Sequence, residues 1–357
     1  MQNPFIYIRG LKHVDHTVFA VEKGQKNYWD NQFQRLVAYS GGQQIKRQII
    51  EEVLRDLNTE PAPVTFYFEA PKLSEKEVIT PADPRYPDQL LGGWMVALSK
   101  KTVNSESSGR TIKRRSPLSI SAMRPLHPLL SGIDNEDISF DRSDRPEIHK
   151  VVVKDQTGKV LTDEEITQLL AGSDRSLRRK WIQDNKRTSG LFIYDVAIDL
   201  RTLFCISTNK LEPELSEEMI EKLKNDGWDA SKNIFGPCLV ANADKRNEII
   251  KALSKALINW RITTNQSRTF SLMETLAVTI SDNANKVASA IRAKLSDETE
   301  KPKAIPIIDD SVGADLFIAL PCDGYIQGVH GTANALVDAE NRLAEMMLAY
   351  DYENQLK

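Results

Sequence analysis

Three clusters of lysine and arginine are the residues of this sequence whose type and spacing could do chemistry, because such side chains bind phosphate groups. The first cluster contains Arg35, Lys46 and Arg47. The second spans residues 100–124 and holds seven basic residues against one acidic residue. The third spans residues 175–187, with six basic residues against one acidic residue. If these separate clusters converge on one surface, they predict a site for a polyanion such as a nucleic acid.

The net charge of the 357-residue chain, −3, conceals this segregation of charge. Residues 134–147 carry six acidic residues against two basic ones and offset the clusters on either side. Electrostatic attraction in solution decays over about 8 Å at physiological ionic strength. The local potential, and not the total charge, therefore decides whether a polyanion binds. The alternative is that each basic run forms a solvated face without a partner.

Hydrolytic catalysis and phosphate-loop chemistry find no support in the motifs. The sequence has no GxSxG elbow, no GxxxxGK[ST] and no GxGxxG after a strand. His13 and His16 could bind a metal, but their expected place between two strands is typical of surface loop histidines. Asp309 and Asp310 could hold a divalent cation, although such a pair before SVGAD more often shapes a turn. We therefore expect no catalytic residue, no metal and no cofactor.

Composition predicts a globular protein of one large or two smaller domains. Hydrophobic residues make up 41% and charged residues 27%, which excludes a largely disordered chain. The sequence has no run of 18 apolar residues and does not begin like a signal peptide, which predicts a cytoplasmic protein without membrane contact. Cys205, Cys238 and Cys322 lack CxxC spacing and are expected to be buried free thiols.

The elements that must position the basic residues begin with two expected strands, at residues 5–8 and 17–21. A helical pattern over residues 31–40 follows, and Gly41-Gly42 interrupts it. A second helix is expected from about Gln43. Its apolar residues recur every four positions: Ile45, Ile49, Val53 and Leu57.

Residues 61–189 are interpreted as an insertion, with a strand at 64–68 and a helix opened by a capping box, Thr162 to Glu165. After the insertion, the alternation in LFIYDVAIDLR predicts a half-buried strand. The later expected elements are a helix capped by Asp244, a helix in SDNANKVASAIRAKL, a strand in ADLFIALP and a helix in TANALVDAENRLAEMMLAY. This order favours an α+β sheet with helices on one face, and a ferredoxin-like core would accommodate it.

Three stretches of the sequence resemble the crRNA-binding backbone subunit of CRISPR type I Cascade complexes. This is the seventh Cas protein family of the RAMP superfamily, and the resemblance is greatest to its DevR-like branch. The stretches are NQFQRLVAYSGGQQIKRQIIEEVL, DQLLGGWMVALSKK with IKRRSPLSISAMRP, and LINWRITTNQSRTFSLMETLAVTI. The chain departs from the family pattern at Gly92-Gly93, where an aromatic residue is expected, and at GGQQ, where the family often has Ser-x-Gln. These departures leave the CRISPR subtype open.

The resemblance implies a modified RRM-like, ferredoxin-like palm formed by residues 1–60 and 190–357. Residues 61–189 would form an insertion with helical fingers and a β-hairpin thumb at about 95–125. The resemblance assigns Gln43, Gln44, Lys46 and Arg47 to the palm, Lys113 to Arg115 to the thumb, and Arg268 to the RNA backbone. With the basic clusters added, the predicted RNA-binding residues are Arg35, Gln43, Gln44, Lys46, Arg47, Lys113, Arg114, Arg115, Arg124, Arg178, Arg179, Lys180 and Arg268.

The function that the resemblance implies is that of a non-catalytic subunit, which oligomerises along crRNA in antiviral defence. Its partners would be crRNA, the target DNA or RNA paired to it, further copies of itself in a helical filament, and other Cascade subunits. The alternative is a type III-like backbone ribonuclease that cuts target RNA with a thumb-loop aspartate. Asp88 or an acidic residue within 134–144 would then be the candidate. A regulator of duplex DNA is a third hypothesis, but the sequence lacks a recognisable recognition helix.

Overall fold

The computed structural model describes the chain in eight stretches, which are residues 3–19, 25–69, 72–96, 111–141, 152–172, 179–263, 270–297 and 300–356. The helices in these stretches are α1 (Gly42–Asp56), α2 (Pro87–Gly92), α3 (Asp163–Leu170), α4 (Leu200–Leu203), α5 (Glu217–Asn225), α6 (Ala243–Asn259), α7 (Ala284–Ala290) and α8 (Ala335–Leu348). None of the helices in the described stretches is long and apolar enough to cross a lipid bilayer.

The first nine strands are β1 (Phe5–Thr17), β2 (Asn27–Asp30), β3 (Arg35–Ala38), β4 (Thr65–Glu69), β5 (Lys72–Ile79), β6 (Trp94–Val96), β7 (Ile112–Arg114), β8 (Leu118–Ile120) and β9 (Arg124–Pro125). The remaining strands are β10 (Ser131–Asp141), β11 (Arg179–Asp199), β12 (Cys205–Ser207), β13 (Asp229–Asn233), β14 (Gly236–Val240), β15 (Thr275–Ser281), β16 (Ile291–Leu295), β17 (Ala304–Ile308) and β18 (Asp315–Ile318).

The main sheet has the strand order β10-β11-β1-β15-β18, and all of its neighbouring strands are antiparallel. Helix α1 lies in the chain between β1 and β10, which are separated in the sheet by β11. Helix α6 likewise lies between β11 and β15, which are separated by β1. Two β-α-β units therefore interlock, with α1, α6 and α8 packed against one another. The mixed helices and antiparallel sheets confirm the predicted α+β class.

The alternation of side chains along β1 and β11 divides the main sheet into two faces. Ile6, Ile8, Phe192 and Tyr194 are buried in the main hydrophobic core beneath the helices. The opposite face, here called the outer face, carries the odd-numbered residues of the same strands. The pairing of β1 with β11 sets Phe5 opposite Asp199, Tyr7 opposite Ala197, and Arg9 opposite Asp195 on this face.

A smaller hydrophobic cluster covers only part of the outer face. It contains Leu11, Leu191, Ile193, Leu276, Ala277, Ile291, Cys322 and Ile326. The outward-facing residues Phe5, Tyr7 and Arg9 of β1 lie beyond this cluster toward the start of the strand, and Tyr7 and Arg9 line a surface groove.

Most of the long, strongly patterned elements match their sequence predictions. Helix α1 begins at Gly42, and β11 shows the predicted alternation of buried and half-buried residues over 194–199, whereas 191–194 are all buried because the smaller hydrophobic cluster covers Leu191 and Ile193. The capping box of α3 is present, with the Thr162 amide donating to Glu165 at 2.8 Å. The three cysteines are buried free thiols, as expected.

Four local predictions were wrong. A single strand, β1, runs from Phe5 to Thr17 in place of the two strands expected at 5–8 and 17–21. Residues 31–40 form the turn and second strand of the β2–β3 hairpin rather than a helix, because Asp30 accepts a hydrogen bond from the Phe33 amide at 2.7 Å and Gln34 adopts a positive φ of 49°. The helix predicted over 281–295 ends at Ala290, since the next five residues pair with β17. The cap of α6 is Asn242, whose side chain accepts from the Lys245 amide at 2.9 Å, and not Asp244. Short apolar patterns fit both periods, so tertiary pairing decides between them.

The segment interpreted as an insertion returns to the main sheet before it ends. Strands β6 and β7 pair as the base of a hairpin, whose residues 97–110 lie outside the described stretches. Strands β8 and β9 then pair with β11, and β10 pairs with the first half of β11. Much of 118–141 is thus structurally continuous with the sheet formed by β1 and β11.

Candidate nucleic-acid interface

The first turns of α1 present two of the predicted residues to solvent. Gln43 and Arg47 are exposed, and Arg47 pairs with Glu51 at 2.7 Å one turn later. Gln44 is instead turned inward, where it hydrogen bonds with Ser40 at 3.0 Å and donates to the Phe19 carbonyl. Gln44 therefore anchors the start of the helix, whereas Gln43 and Arg47 are accessible to a ligand.

Lys46 is half-buried between α1 and the end of α2. Its ammonium group donates to the Gly92 carbonyl at 3.3 Å. Burial, together with the positive charge of Arg114, lowers the pKa of Lys46 to about 8. An anion bound here would favour the charged form and strengthen the interaction.

At the base of the β6–β7 hairpin, the side chains of the three consecutive basic residues point to opposite sides of β7. Lys113 and Arg115 are exposed, but Arg114 is only 4% exposed. The Arg114 guanidinium donates to the Leu90 carbonyl and, at 2.5 Å, to the Thr202 carbonyl. Its centre also lies 5.5 Å from the centroid of the Trp94 ring. The interpretation of Arg114 as part of an exposed basic surface is thus corrected, because successive residues of a strand point to opposite sides.

Gly93 explains why this hairpin begins with a glycine pair instead of the expected aromatic residue. Gly93 has a φ of 76°, and a Cβ atom there would lie 2.5 Å from the Arg114 carbonyl oxygen. Only glycine accepts that conformation and that contact without strain.

Arg35 and Arg124 flank the edge where β3, β9 and β10 meet. The Arg35 guanidinium donates to the Ser131 carbonyl at 2.7 Å and so fastens the hairpin to β10. Arg124 extends over the outer face of the sheet and lies 3.3 Å from Asp195. Its side chain is 41% exposed, which leaves part of the guanidinium free for a further contact.

Sequence reasoning missed Arg9, which lies on the outer face of the sheet beside Asp195. Its guanidinium pairs with Asp195 at 2.6 Å and 3.1 Å and donates to the carbonyls of Ala288 and Ile291. Arg9 is isolated in the sequence, and the only signal was its odd position after the apolar even-numbered residues Ile6 and Ile8. Asp195 thus joins two arginines, Arg9 and Arg124, on the outer face.

A groove of about 540 Å³ opens beside this ion pair. Strands β1, β8 and β11 form its floor and one wall, and α7 forms the other wall. The polar side chains that line it are Tyr7, Arg9, Ser119, Ser121, Asp195 and Asn285. Hydroxyl, amide and guanidinium groups in such a groove can hydrogen bond to bases, sugars and phosphates.

The start of α1 lies against β8 at the border of the groove. A Cβ atom on Gly42 would lie 2.5 Å from the Ile120 carbonyl oxygen, so glycine allows α1 to approach β8 closely. The next residue, Ser121, lines the groove and accepts a hydrogen bond from the Asp195 amide at 2.9 Å. The segment of β8 and Ser121 therefore borders both the first turns of α1 and the groove. We name the start of α1, β8 and the groove together the α1–β8 surface.

The structure does not describe the side chains of four residues that were predicted to bind RNA. Arg178 and Arg268 lie outside the described stretches. Arg179 and Lys180 begin β11, where their backbones pair with Asp141 and Phe140. The side chains of residues 179–185 are not among those that the structure describes, so this part of the basic cluster at 175–187 stays a prediction. Arg187, the last residue of the cluster, is only 3% exposed and therefore does not contribute to an exposed basic surface.

The candidate acids of the ribonuclease alternative lie in three different settings. The Asp88 carboxylate accepts from the Ala62 amide at 3.1 Å and 3.2 Å, at the start of α2. Asp134 is exposed on β10, the side chains of 136–141 are not among those that the structure describes, and residues 142–144 lie outside the described stretches. Asp309 accepts from the Ser311 amide and pairs with Arg292 at 3.0 Å, in keeping with a turn-shaping role.

The two histidines of HVDH occupy the end of β1 rather than a loop between two strands. The ring of His13 stacks on Tyr325 with a centroid distance of 4.2 Å. Within the described stretches, no three histidine, cysteine or acidic side chains come together in a way that could hold a metal ion.

Comparison with known proteins gives structural neighbours but no sequence relative. No protein-family model matches the chain, and no curated protein matches it. A chain of a solved "CRISPR RNA-guided surveillance complex, pre-nicking" is similar with a TM-score of 0.42 and 12% identity, covering 96% of this chain and 88% of that chain. A chain of a second "CRISPR RNA-guided surveillance complex" is similar with a TM-score of 0.36 and 10% identity, covering 96% and 83%.

Proposed function

We propose that this protein is a non-catalytic backbone subunit of a CRISPR effector complex, which oligomerises along crRNA and grips its phosphates. It would present the guide for pairing with a target nucleic acid, alongside other Cascade subunits. The α1–β8 surface is the observation that carries the proposal. It contains Arg9 and Arg124, which meet at Asp195 on the outer face, and the exposed Gln43 and Arg47 at the start of α1, beside β8.

The topology of the main sheet supports an RRM-like palm. Interlocked β-α-β units with the order β10-β11-β1-β15 correspond to the split βαβ arrangement of ferredoxin-like folds. Helices pack on one face of such a sheet, and the other face is used by many RNA-binding modules. In this protein, the outer face carries Arg9 and the groove.

The base of the β6–β7 hairpin supports a thumb. Lys113 and Arg115 are exposed there, next to the short connection that leads into β8. A hairpin that leaves the sheet at this point could follow a bound RNA away from the groove. The buried Arg114 would hold the base of the thumb against α2 and α4.

A binding role, rather than cleavage, is supported by how the acidic side chains are engaged. Asp88 holds a backbone amide and Asp195 joins two arginines, so both carboxylates stabilise the local structure. Acidic groups paired in this way lower the negative potential that would repel RNA. The ribonuclease alternative has no comparable support from the described residues.

The direct test is the salt dependence of binding to guide RNA. We expect the full chain to co-purify with short RNAs of uniform length, and to bind such RNA more weakly as salt rises. Each phosphate contact to single-stranded RNA contributes about 0.7 to the slope of log K against log salt. Lys113→Ala combined with Arg115→Ala should therefore reduce the slope by about 1.4.

A matched control distinguishes this effect from a general loss of positive charge. Lys251 and Lys255 lie on α6, among the helices on the other face of the sheet, and both are exposed. Replacing both with alanine removes the same charge and should leave the slope unchanged. Equal effects of the two double variants would refute the thumb assignment. Regular cleavage of complementary RNA by the assembled complex with magnesium would refute the non-catalytic role.

A further inference from the structure

Aromatic rings and a guanidinium form a continuous row at the start of β1. The rings of Phe5 and Tyr7 are stacked, with centroids 5.9 Å apart and planes inclined by 19°. The guanidinium carbon of Arg201 lies 4.8 Å from the Phe5 centroid and 5.0 Å from the Phe235 centroid. We name Tyr7, Phe5, Arg201 and Phe235, in that order, the aromatic row.

The aromatic row continues the groove along the outer face. Tyr7 lines the groove together with Arg9, and Phe5 is the next outward-facing residue of β1. Phe235, in the turn between β13 and β14, is 53% exposed and ends the row in solvent. The row therefore leads from a polar groove to an accessible ring.

Asp199 fixes the guanidinium that links the rings. It accepts from two nitrogens of Arg201, each at 2.8 Å, along the edge of the guanidinium. Bonding along that edge leaves the faces of the planar group for the two rings. The arrangement is rigid because Phe5 and Asp199 also lie opposite each other in the β1–β11 pairing.

We propose that Phe235, the exposed end of the aromatic row, stacks a base of a single-stranded RNA whose neighbouring nucleotides occupy the groove, while the rest of the row holds the Phe235 ring in place. This inference rests on the proposed function, and it adds base stacking to the phosphate contacts of the α1–β8 surface. An aromatic ring accepts any base, because every base has a π-face. The row would thus hold RNA without selecting its sequence, as a guide-binding surface requires.

The groove beside the row favours RNA over a protein partner. The row continues into hydroxyl, amide and guanidinium side chains that line the groove, and these groups can hydrogen bond to bases, sugars and phosphates. Arg201 is paired with Asp199, and Arg9 is paired with Asp195. The row therefore offers little net charge, and stacking rather than phosphate attraction would dominate.

The experiment replaces the exposed ring of Phe235. Phe235→Leu keeps an apolar side chain without a ring, and Phe235→Trp restores a ring. Ile234→Ala is the matched control, because Ile234 is 55% exposed in the same turn and does not join the row. The probe is a single-stranded RNA of about 12 nucleotides. A second probe has the same length and backbone but lacks bases at successive positions.

The expected result is a loss of affinity that depends on the bases and not on salt. Phe235→Leu should weaken binding of the intact RNA about tenfold with an unchanged salt slope. Phe235→Trp should restore the affinity, and Ile234→Ala should have no effect. On the probe without bases, Phe235→Leu and the unsubstituted chain should bind equally.

Two other results would overturn the inference, and a third concerns the proposed function itself. If Phe235→Leu binds intact RNA as well as the unsubstituted chain does, bases do not stack on the row, although the proposed function stands. If Phe235→Leu retains RNA affinity but loses self-association in sedimentation, the row is a protein interface. If the unsubstituted chain binds neither probe, the proposed function fails first.

Discussion

Replacing Lys12 with methionine should stabilise this protein at neutral pH. Lys12 is 1% exposed within the main sheet, under α6. Its ammonium group donates to the Thr275 hydroxyl at 2.8 Å and lies 4.9 Å from the centroid of the Trp260 ring. Burial, assisted by the charge of Arg261, lowers the pKa of Lys12 from 10.5 to about 7. The folded state therefore disfavours the charged form that the unfolded chain keeps.

The size and sign of the effect follow from this difference in pKa. At about 1.4 kcal/mol for each pH unit, the change from 10.5 to about 7 corresponds to about 5 kcal/mol. Below pH 7, both states hold the proton and the full penalty is present. Between pH 7 and 10.5, the unfolded state binds more protons than the folded state, so the stability of the unsubstituted protein rises with pH.

Lys12→Met removes this titration and keeps a side chain of similar length. It also removes the hydrogen bond to Thr275, which is worth about 1 kcal/mol, and the contact with the Trp260 ring. We expect a net gain of about 3 kcal/mol at pH 6.5 that vanishes or reverses by pH 10.

Urea unfolding at several pH values between 6 and 10 measures the free energy of unfolding for both proteins. Lys251→Met is the matched control, because Lys251 is exposed on α6 and its replacement should change stability by less than about 0.5 kcal/mol. If the difference between Lys12→Met and the unsubstituted protein does not change with pH, Lys12 does not titrate near pH 7 and the reasoning is refuted.

Two further predictions concern the base of the thumb. Arg114→Met should lower the free energy of unfolding by about 3 kcal/mol in urea titrations, because the carbonyls of Leu90 and Thr202 lose their donor inside the protein; a change below about 0.5 kcal/mol would contradict the interior position. Gly93→Ala should lower the melting temperature by several degrees, since a Cβ atom would lie 2.5 Å from the Arg114 carbonyl oxygen at a φ of 76°; Gly158→Ala, where a Cβ atom would have open space at a φ of 87°, should lower it less.

Local sequence patterns predicted the elements with long or chemically distinct signals. The four-residue apolar spacing of α1, the capping box of α3 and the alternation in β11 each arise from contacts between residues near in sequence. These contacts have a fixed geometry, so the sequence alone determines them. The predictions that were wrong, at 31–40 and 281–295, concern short segments whose apolar residues fit either period.

The direction of each basic side chain was decided by tertiary structure. The run Lys113-Arg114-Arg115 reads as one patch of charge, yet its middle residue is buried because the run forms a strand paired with β6. A propensity argument does not foresee this, since the partner strand begins 18 residues earlier in the chain, at Trp94.

For the candidate site, too, the sequence determined some features and the tertiary structure decided the others. The sequence by itself determined an α+β chain with segregated basic clusters and a helix α1 whose first turns carry Gln43, Gln44, Lys46 and Arg47. Only the tertiary structure brought Arg9 to Asp195 and Arg201 to Phe5 and Phe235, because these contacts join residues up to 196 positions apart in the chain. Such contacts depend on the order and register of strands in the sheet, which no local pattern specifies.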